Sequence, residues 1–245
     1  MPNTHFVLQG KGGVGKSFVA NLLAQSFVAR GQPALCIDTD PVNGTLHAFS
    51  SLNVQRINIL EGDEINTRQF DLLIELISKS KADVVVDNGA SSFVPLAHYL
   101  ISNEVPAILA EFGHAVVVHT VVTGGEMLMP TLAGFASLVT QFPATVPFVV
   151  WLNPYHGVID YEGKGFTDTK VYKENKARVV GIVQIPDVKK ETFGIDIENM
   201  LKARRTFGEE QQAKGVVLMA KQRLKIFERN TFAAINAGIG SLGTP

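Results

Sequence analysis

Residues 10 to 17 read Gly10-Lys11-Gly12-Gly13-Val14-Gly15-Lys16-Ser17, a complete G-x-x-x-x-G-K-[ST] phosphate loop. Glycines let backbone N–H groups turn toward a β-phosphate, and a helix starting at Ser17 adds partial positive charge where the anion sits. Lys16 is placed to reach the β- and γ-phosphates and the Ser17 hydroxyl to ligate Mg2+, and Phe18 completes the nucleotide-contacting run. Chance alone gives such a match in roughly one chain in a hundred of this length. Two acidic stretches supply the partners that this chemistry needs. Cys36-Ile37-Asp38-Thr39-Asp40-Pro41 ends an apolar run with two carboxylates one residue apart, and Ala82-Asp83-Val84-Val85-Val86-Asp87 is an apolar strand ending in aspartate. The second is the Walker B arrangement, in which the carboxylate holds Mg2+ through water. Asp83, at the start of that strand, reads as surface.

These residues work only if strand ends and helix starts bring them together. Apolar runs at 6–8, 34–37, 84–86, within 115–122, at 146–152 and at 179–185 read as strands. Helical spacing covers 17–30, 70–79, the region of 127–140, and 186 to about 237. The alternation predicts an α/β fold, a mostly parallel twisted sheet with helices on both faces. Residues 154–169 hold three glycines and no sustained period, which predicts a long loop, and 238–245 reads as a flexible tail. With no internal repeat, residues 1–245 are taken as one domain.

The phosphate loop carries a lysine at its second position, Lys11, in the form G-K-G-G-V-G-K-S. It resembles the deviant Walker A signature of the ParA/MinD family of P-loop ATPases. The resemblance implies ATP and Mg2+ as ligands and a homodimer that sandwiches the nucleotide, with Lys11 crossing to the partner's phosphates and acting in catalysis beside Lys16. Asp-x-Asp-Pro is similar to the family's first switch, which would put Asp38 in the Mg2+ shell with Ser17 and Asp87 and leave Asp40 to orient or activate the attacking water. Asp87-Asn88-Gly89-Ala90 lacks the proline usual in the second switch. Asn153, at the end of a strand, stands where relatives hydrogen-bond adenine, and the stretch through Pro186 and Asp187 looks like the family's second wall for the base. The resemblance spans roughly residues 4 to 190.

Composition narrows the branches. A lone cysteine, Cys36, among 245 residues removes a disulfide framework and a cluster-bearing reductase that must supply two thiolates per subunit. No tyrosine follows Tyr172, unlike the family's tyrosine kinases with their tyrosine-rich tails. Six histidines show no metal-binding spacing, so His114 and His119 read as packed or capping residues and Trp151 as core. No signal sequence is visible, and the most apolar stretch, 105–122, contains Glu111, His114 and His119, so a cytoplasmic location is expected. Residues 1–122 carry 7 basic and 11 acidic side chains, residues 123–245 carry 15 and 12. Lys202, Arg204 and Arg205 are candidates for nonspecific DNA contact. Residues 216–232 offer Val217, Leu218, Leu224 and Phe227 as an amphipathic face for a MinD-like membrane role, which is disfavoured because the same residues suit packing on the sheet. The expectation is a Mg-ATP-driven dimerising switch similar to ParA-like ATPases of plasmid transfer regions, the TraL and StbB type, with a transfer or partition protein as partner. The alternatives are a nucleotide-bound scaffold with negligible hydrolysis and a MinD-like positioning ATPase.

Overall fold

The computed structural model describes residues 1–243. Seven strands form one parallel sheet: β1 (Asn3–Val7), β2 (Leu35–Asp38), β3 (Gln55–Arg56), β6 (Val84–Asp87), β7 (Ala115–Thr123), β8 (Phe148–Asn153) and β9 (Val179–Gln184), in the order β3-β2-β6-β1-β7-β8-β9. Two further short strands, β4 (Leu60–Glu61) and β5 (Glu64–Ile65), pair antiparallel as a hairpin beside the sheet. The central strands are apolar on both sides because both faces are covered; all four residues of β6 are buried.

One face carries α2 (Gln69–Lys79), α3 (Phe93–Ser102), α4 (Val105–Glu111), α5 (Leu128–Gln141) and α6 (Lys170–Asn175), packed through Phe70, Leu96, Leu109 and Phe135. The other carries α1 (Lys16–Ala29), α7 (Ile195–Lys202), α8 (Phe207–Gln212) and α9 (Leu218–Ile239), packed through Leu23, Met200, Phe207 and Phe227. Period-two alternation along β1 serves both layers: Phe6 joins the first cluster and Val7 the second.

The strand expected within 115–122 is β7; the apolar residues before it form a helix, Val105–Glu111, and Gly113 turns the chain at φ +84° between the two. Among the described residues no helix is long and apolar enough to cross a membrane. Two expectations change. The region after Pro186 is three helices, with a π-helical turn over Lys190–Gly194. The tail expected from 238 starts inside α9, where Gly238 and Ile239 are buried, because the helix end packs on β9; Asn3 donates to the Leu242 carbonyl at 2.7 Å. Residues 244 and 245 of that expected tail lie outside the described residues.

Parallel register sets the site. Val7 and Asp38 both pair with Asp87, and Thr123 pairs with Asn153. The loop after β1, the carboxylates ending β2 and β6, and the asparagine ending β8 therefore reach the same carboxyl edge of the sheet.

Candidate nucleotide site

The phosphate loop is shaped by two left-handed glycines, Gly13 at φ +74° and Gly15 at φ +101°. A Cβ on Gly15 would lie 2.7 Å from Asn153 Nδ2, so only glycine both turns here and admits the neighbour. Gly15 caps α1, which has no side-chain cap and no acidic residue in its first turn. Its positive end is left for an anion. Lys16 is buried and its ammonium donates to the Lys11 carbonyl at 3.0 Å. Burial lowers its pKa, and Asp87 and Asp40 offset part of that. The Lys11 side chain, by contrast, is exposed.

Behind the loop lie three buried carboxylates. Asp38 accepts the backbone N–H of Asp40 and of His47, both at 2.9 Å, which fixes the segment that follows β2. Asp40 accepts the N–H of Val42 at 2.9 Å and of Asn43 at 3.2 Å. Gly89 lies against it so closely that a Cβ there would be 2.7 Å from the Asp40 carboxyl. Asp87 Oδ1 accepts the Asn88 N–H at 3.0 Å, but Oδ2 is buried without a partner. Burial pushes the Asp87 carboxyl up to about 7, and the nearby Ser17 hydroxyl and Lys16 offset the rise while Asp38 and Asp40 add to it. An orphaned carboxylate oxygen beside a serine hydroxyl fits Mg2+, which takes hard oxygen ligands and keeps waters and phosphates around it. Among the described residues no group of three His, Cys, Asp or Glu is placed to hold a metal by itself, so the donor set suits an ion carried by a nucleotide. Each Asp38 oxygen accepts one N–H, from Asp40 or from His47, and keeps a further lone pair.

Next to the loop opens a cleft of about 500 Å³ that includes Phe18, Asn153, Tyr155, Pro186, Asp187 and Phe227. Asn153 is anchored rather than free, donating to the Val14 carbonyl at 3.0 Å and accepting the Tyr155 N–H at 3.2 Å. Phe18 stacks toward Phe227 with centroids 6.4 Å apart. The cleft has apolar walls and a few convergent polar groups, as a base pocket requires.

The profile of the CobQ/CobB/MinD/ParA nucleotide binding domain matches residues 5–235. The chain belongs to this family. Two proteins from Escherichia coli, each named Protein TraL, are 56% and 57% identical to it, over 98% and 97% of this chain and 100% and 98% of theirs. Among solved structures, the MinD cell division protein of Aquifex aeolicus superposes with a TM-score of 0.53 at 17% identity, covering 94% of this chain and 97% of that one. The fold is that of a P-loop NTPase.

This ParA/MinD-type site contains contacts that sequence motifs did not flag. The Thr39 hydroxyl is 2.9 Å from the Asp87 carbonyl and 3.2 Å from Asn88 Oδ1, and Ser92 donates to the same Asn88 oxygen at 2.7 Å. Side chains thus tie the segment after β2 to the segment after β6. Gln9, buried just before the loop, donates to the carbonyls of Val121 and Thr131 at 3.0 and 3.2 Å. His156 approaches the Gly13 carbonyl at 3.0 Å. The only sequence signal for these was polar residues abutting the motifs. Asp83 is half-buried and accepts the Asn3 N–H at 2.6 Å, an anchor rather than free surface.

Away from the cleft, the candidate DNA residues are partly committed. Lys202 pairs with Glu198 at 3.4 Å and Arg205 with the buried Glu210 at 3.2 Å. Arg204 is in no ion pair among the described residues. Of the amphipathic set, Leu224 and Phe227 are buried in the second core cluster, leaving Val217 and Leu218 exposed.

Proposed function

We propose that the protein is a Mg-ATP-dependent, dimerising ATPase switch acting in plasmid conjugative transfer. The observation that carries this reading is the division of labour in the loop: Lys16 buried against its own chain, Lys11 exposed and free to reach a second nucleotide. Two loops facing each other would concentrate phosphate charge, and a lysine donated in trans by each copy neutralises part of it. Ser17 and Asp87, with Asp38 behind them, would hold Mg2+, which supplies charge neutralisation at the β- and γ-phosphates. Asp40 sits at the switch to orient water. The transfer role is supported by the two relatives named TraL, and a transfer or partition protein in the cytoplasm is the partner class.

Lys16→Ala is expected to abolish ATP binding by calorimetry, and Lys11→Ala to retain binding while losing the ATP-dependent rise in mass by light scattering. Unchanged ATP affinity in the first variant, or undiminished dimerisation in the second, overturns the reading.

A second reading, a nucleotide-bound scaffold with negligible hydrolysis, is favoured by one observation: the Asp40 carboxylate already bonds Val42 and Asn43. Steady ATP turnover that Asp40→Ala abolishes excludes it.

A further inference from the structure

Four carbonyls of the phosphate loop are each held by a donor. Lys11 O accepts from Lys16 Nζ and Val14 O from Asn153 Nδ2, both at 3.0 Å, and Gly15 O accepts the Val19 N–H at 2.9 Å. The fourth, Gly13 O, lies 3.0 Å from His156 Nε2. A carbonyl can only accept, so this ring nitrogen carries the proton.

The turn that presents His156 is firmly built. It is a single 3-10 turn, Pro154–His156, directly after β8. The Gly157 N–H closes it on the Pro154 carbonyl at 2.9 Å, and Asn153 Oδ1 accepts the Tyr155 N–H at 3.2 Å. The chain entering α5 lies against it so closely that a Cβ on Gly124 would collide with the Gly157 and Val158 carbonyl oxygens, and one on Gly125 would stand 2.5 Å from the His156 carbonyl oxygen. The Tyr155 ring meets the His156 ring edge-on, with 5.1 Å between centroids and 89° between planes. The imidazole itself is exposed and borders the nucleotide cleft beside Gly13 and Gly15.

What the His156 bond fixes is a peptide plane. In a trans peptide the C=O of one residue and the N–H of the next point opposite ways. With Gly13 O drawn to His156, the Val14 N–H faces away from the turn. Gly13 itself does not pin this plane: it has φ +74°, and its Cβ position has open space around it. We propose that His156 is a positioning residue for the anion cradle, its Nε2–H holding the Gly13 carbonyl outward so that the Val14 N–H is aimed at the β-phosphate of the bound nucleotide. The role rests on the nucleotide reading of the site. It preorganises one donor that would otherwise have to be ordered when the nucleotide binds.

The test is ADP binding by the full chain with Mg2+, measured by calorimetry, with the Val14 amide followed by 1H–15N correlation. His156→Phe keeps an aromatic ring and loses the donor, whereas His156→Gln puts an amide N–H near where Nε2 stood. His156→Phe is expected to weaken ADP about fivefold, and His156→Gln to recover to within about twofold of the parent. At saturating ADP the downfield shift of the Val14 amide should fall by about half or more in His156→Phe. The urea midpoint of the nucleotide-free protein should be the same in all three, because the ring is exposed. Undiminished ADP affinity in His156→Phe, or no recovery in His156→Gln, overturns the proposal. So does a Val14 shift as large as the parent's, which would mean that the ring touches the nucleotide and does not act through the loop. Lys16→Ala separates this role from the site itself: ADP bound by the parent and lost in Lys16→Ala upholds the nucleotide site whatever His156 does, and a parent that binds no ADP overturns both.

Discussion

Asp87 and the His5–His119 pair place titrating groups of opposite sense in one small interior. The Asp87 carboxyl is raised from its ordinary range to about 7, so between about pH 4 and 7 the folded state binds more protons than the unfolded one. Its contribution to stability is complete below that window and lost as pH rises through 7. His5 is lowered to about 4, so its contribution is present above about pH 6.5 and lost as pH falls toward 4. In nucleotide-free protein the two oppose each other over the same range. Asp87→Asn removes one side. We expect it to gain on the order of 2–4 kcal/mol at pH 8 and to lose stability more steeply than the parent as pH falls from about 6.5. In the parent Asp87 offsets one of the two buried histidines, and in the variant neither is offset. Urea midpoints across that range check this, and a variant no more stable than the parent at pH 8 refutes the assignment of an orphaned carboxylate. The motif spelled out Asp87 but not its unpaired oxygen, since desolvation depends on Val84, Val85 and Val86 being covered from both faces. Nor could spacing reveal that Asn153 bonds Val14, because residues 139 apart meet only through the pairing of β7 and β8.

Helix α9 seats on β9 at two glycines. A Cβ on Gly181 would stand 1.7 Å from the Gly238 carbonyl oxygen, and one on Gly238 would meet the Val183 side chain at 2.6 Å. Backbone-on-backbone contact leaves nothing flexible to yield, so Gly181→Ala is expected to cost about 3 kcal/mol by urea unfolding and to lift α9 from the sheet. Gly208, in α8, has open space around its Cβ position and no positive φ. Gly208→Ala should therefore be neutral or stabilising by up to about 1 kcal/mol. Equal effects from the two would mean that α9 is not held by this approach. The long periodic elements, α1, α2, α5 and the central strands, were legible because an apolar stripe or run had a single solution. Two short helices were not: α3 contains Pro95 and α4 contains Pro106, and both lie in stretches too uniformly apolar to show a helical period. The end of α9 was misjudged because Gly238 and Gly240 look like a stop, whereas Gly238 is a packing surface.

For the whole molecule, the acidic first half holds the carboxylates proposed for Mg2+ and the second half is net basic, which raises the question of how much of that charge a polyanion can use. Lys202 must leave Glu198 to touch a phosphate, an exposed pair worth only about 0.3–0.5 kcal/mol. Arg205 must leave Glu210, which is buried, and stranding that carboxylate costs more. Arg204 is held in a left-handed turn at φ +54° without an ion pair, and it is the residue most ready to engage. In a DNA complex the segment would therefore supply about one to two phosphate contacts per protomer. The dependence of log K on log salt should then have a slope of about −1 to −2 per protomer, and a dimer would double it. Fluorescence anisotropy with a labelled duplex of arbitrary sequence, with and without Mg-ATP, measures this directly. Arg204→Glu should remove most of the binding and Lys202→Gln little of it. A slope steeper than about −5 would assign the contact to other cations of the second half; a slope that doubles on adding ATP would tie DNA contact to the dimer that Lys11 is proposed to close.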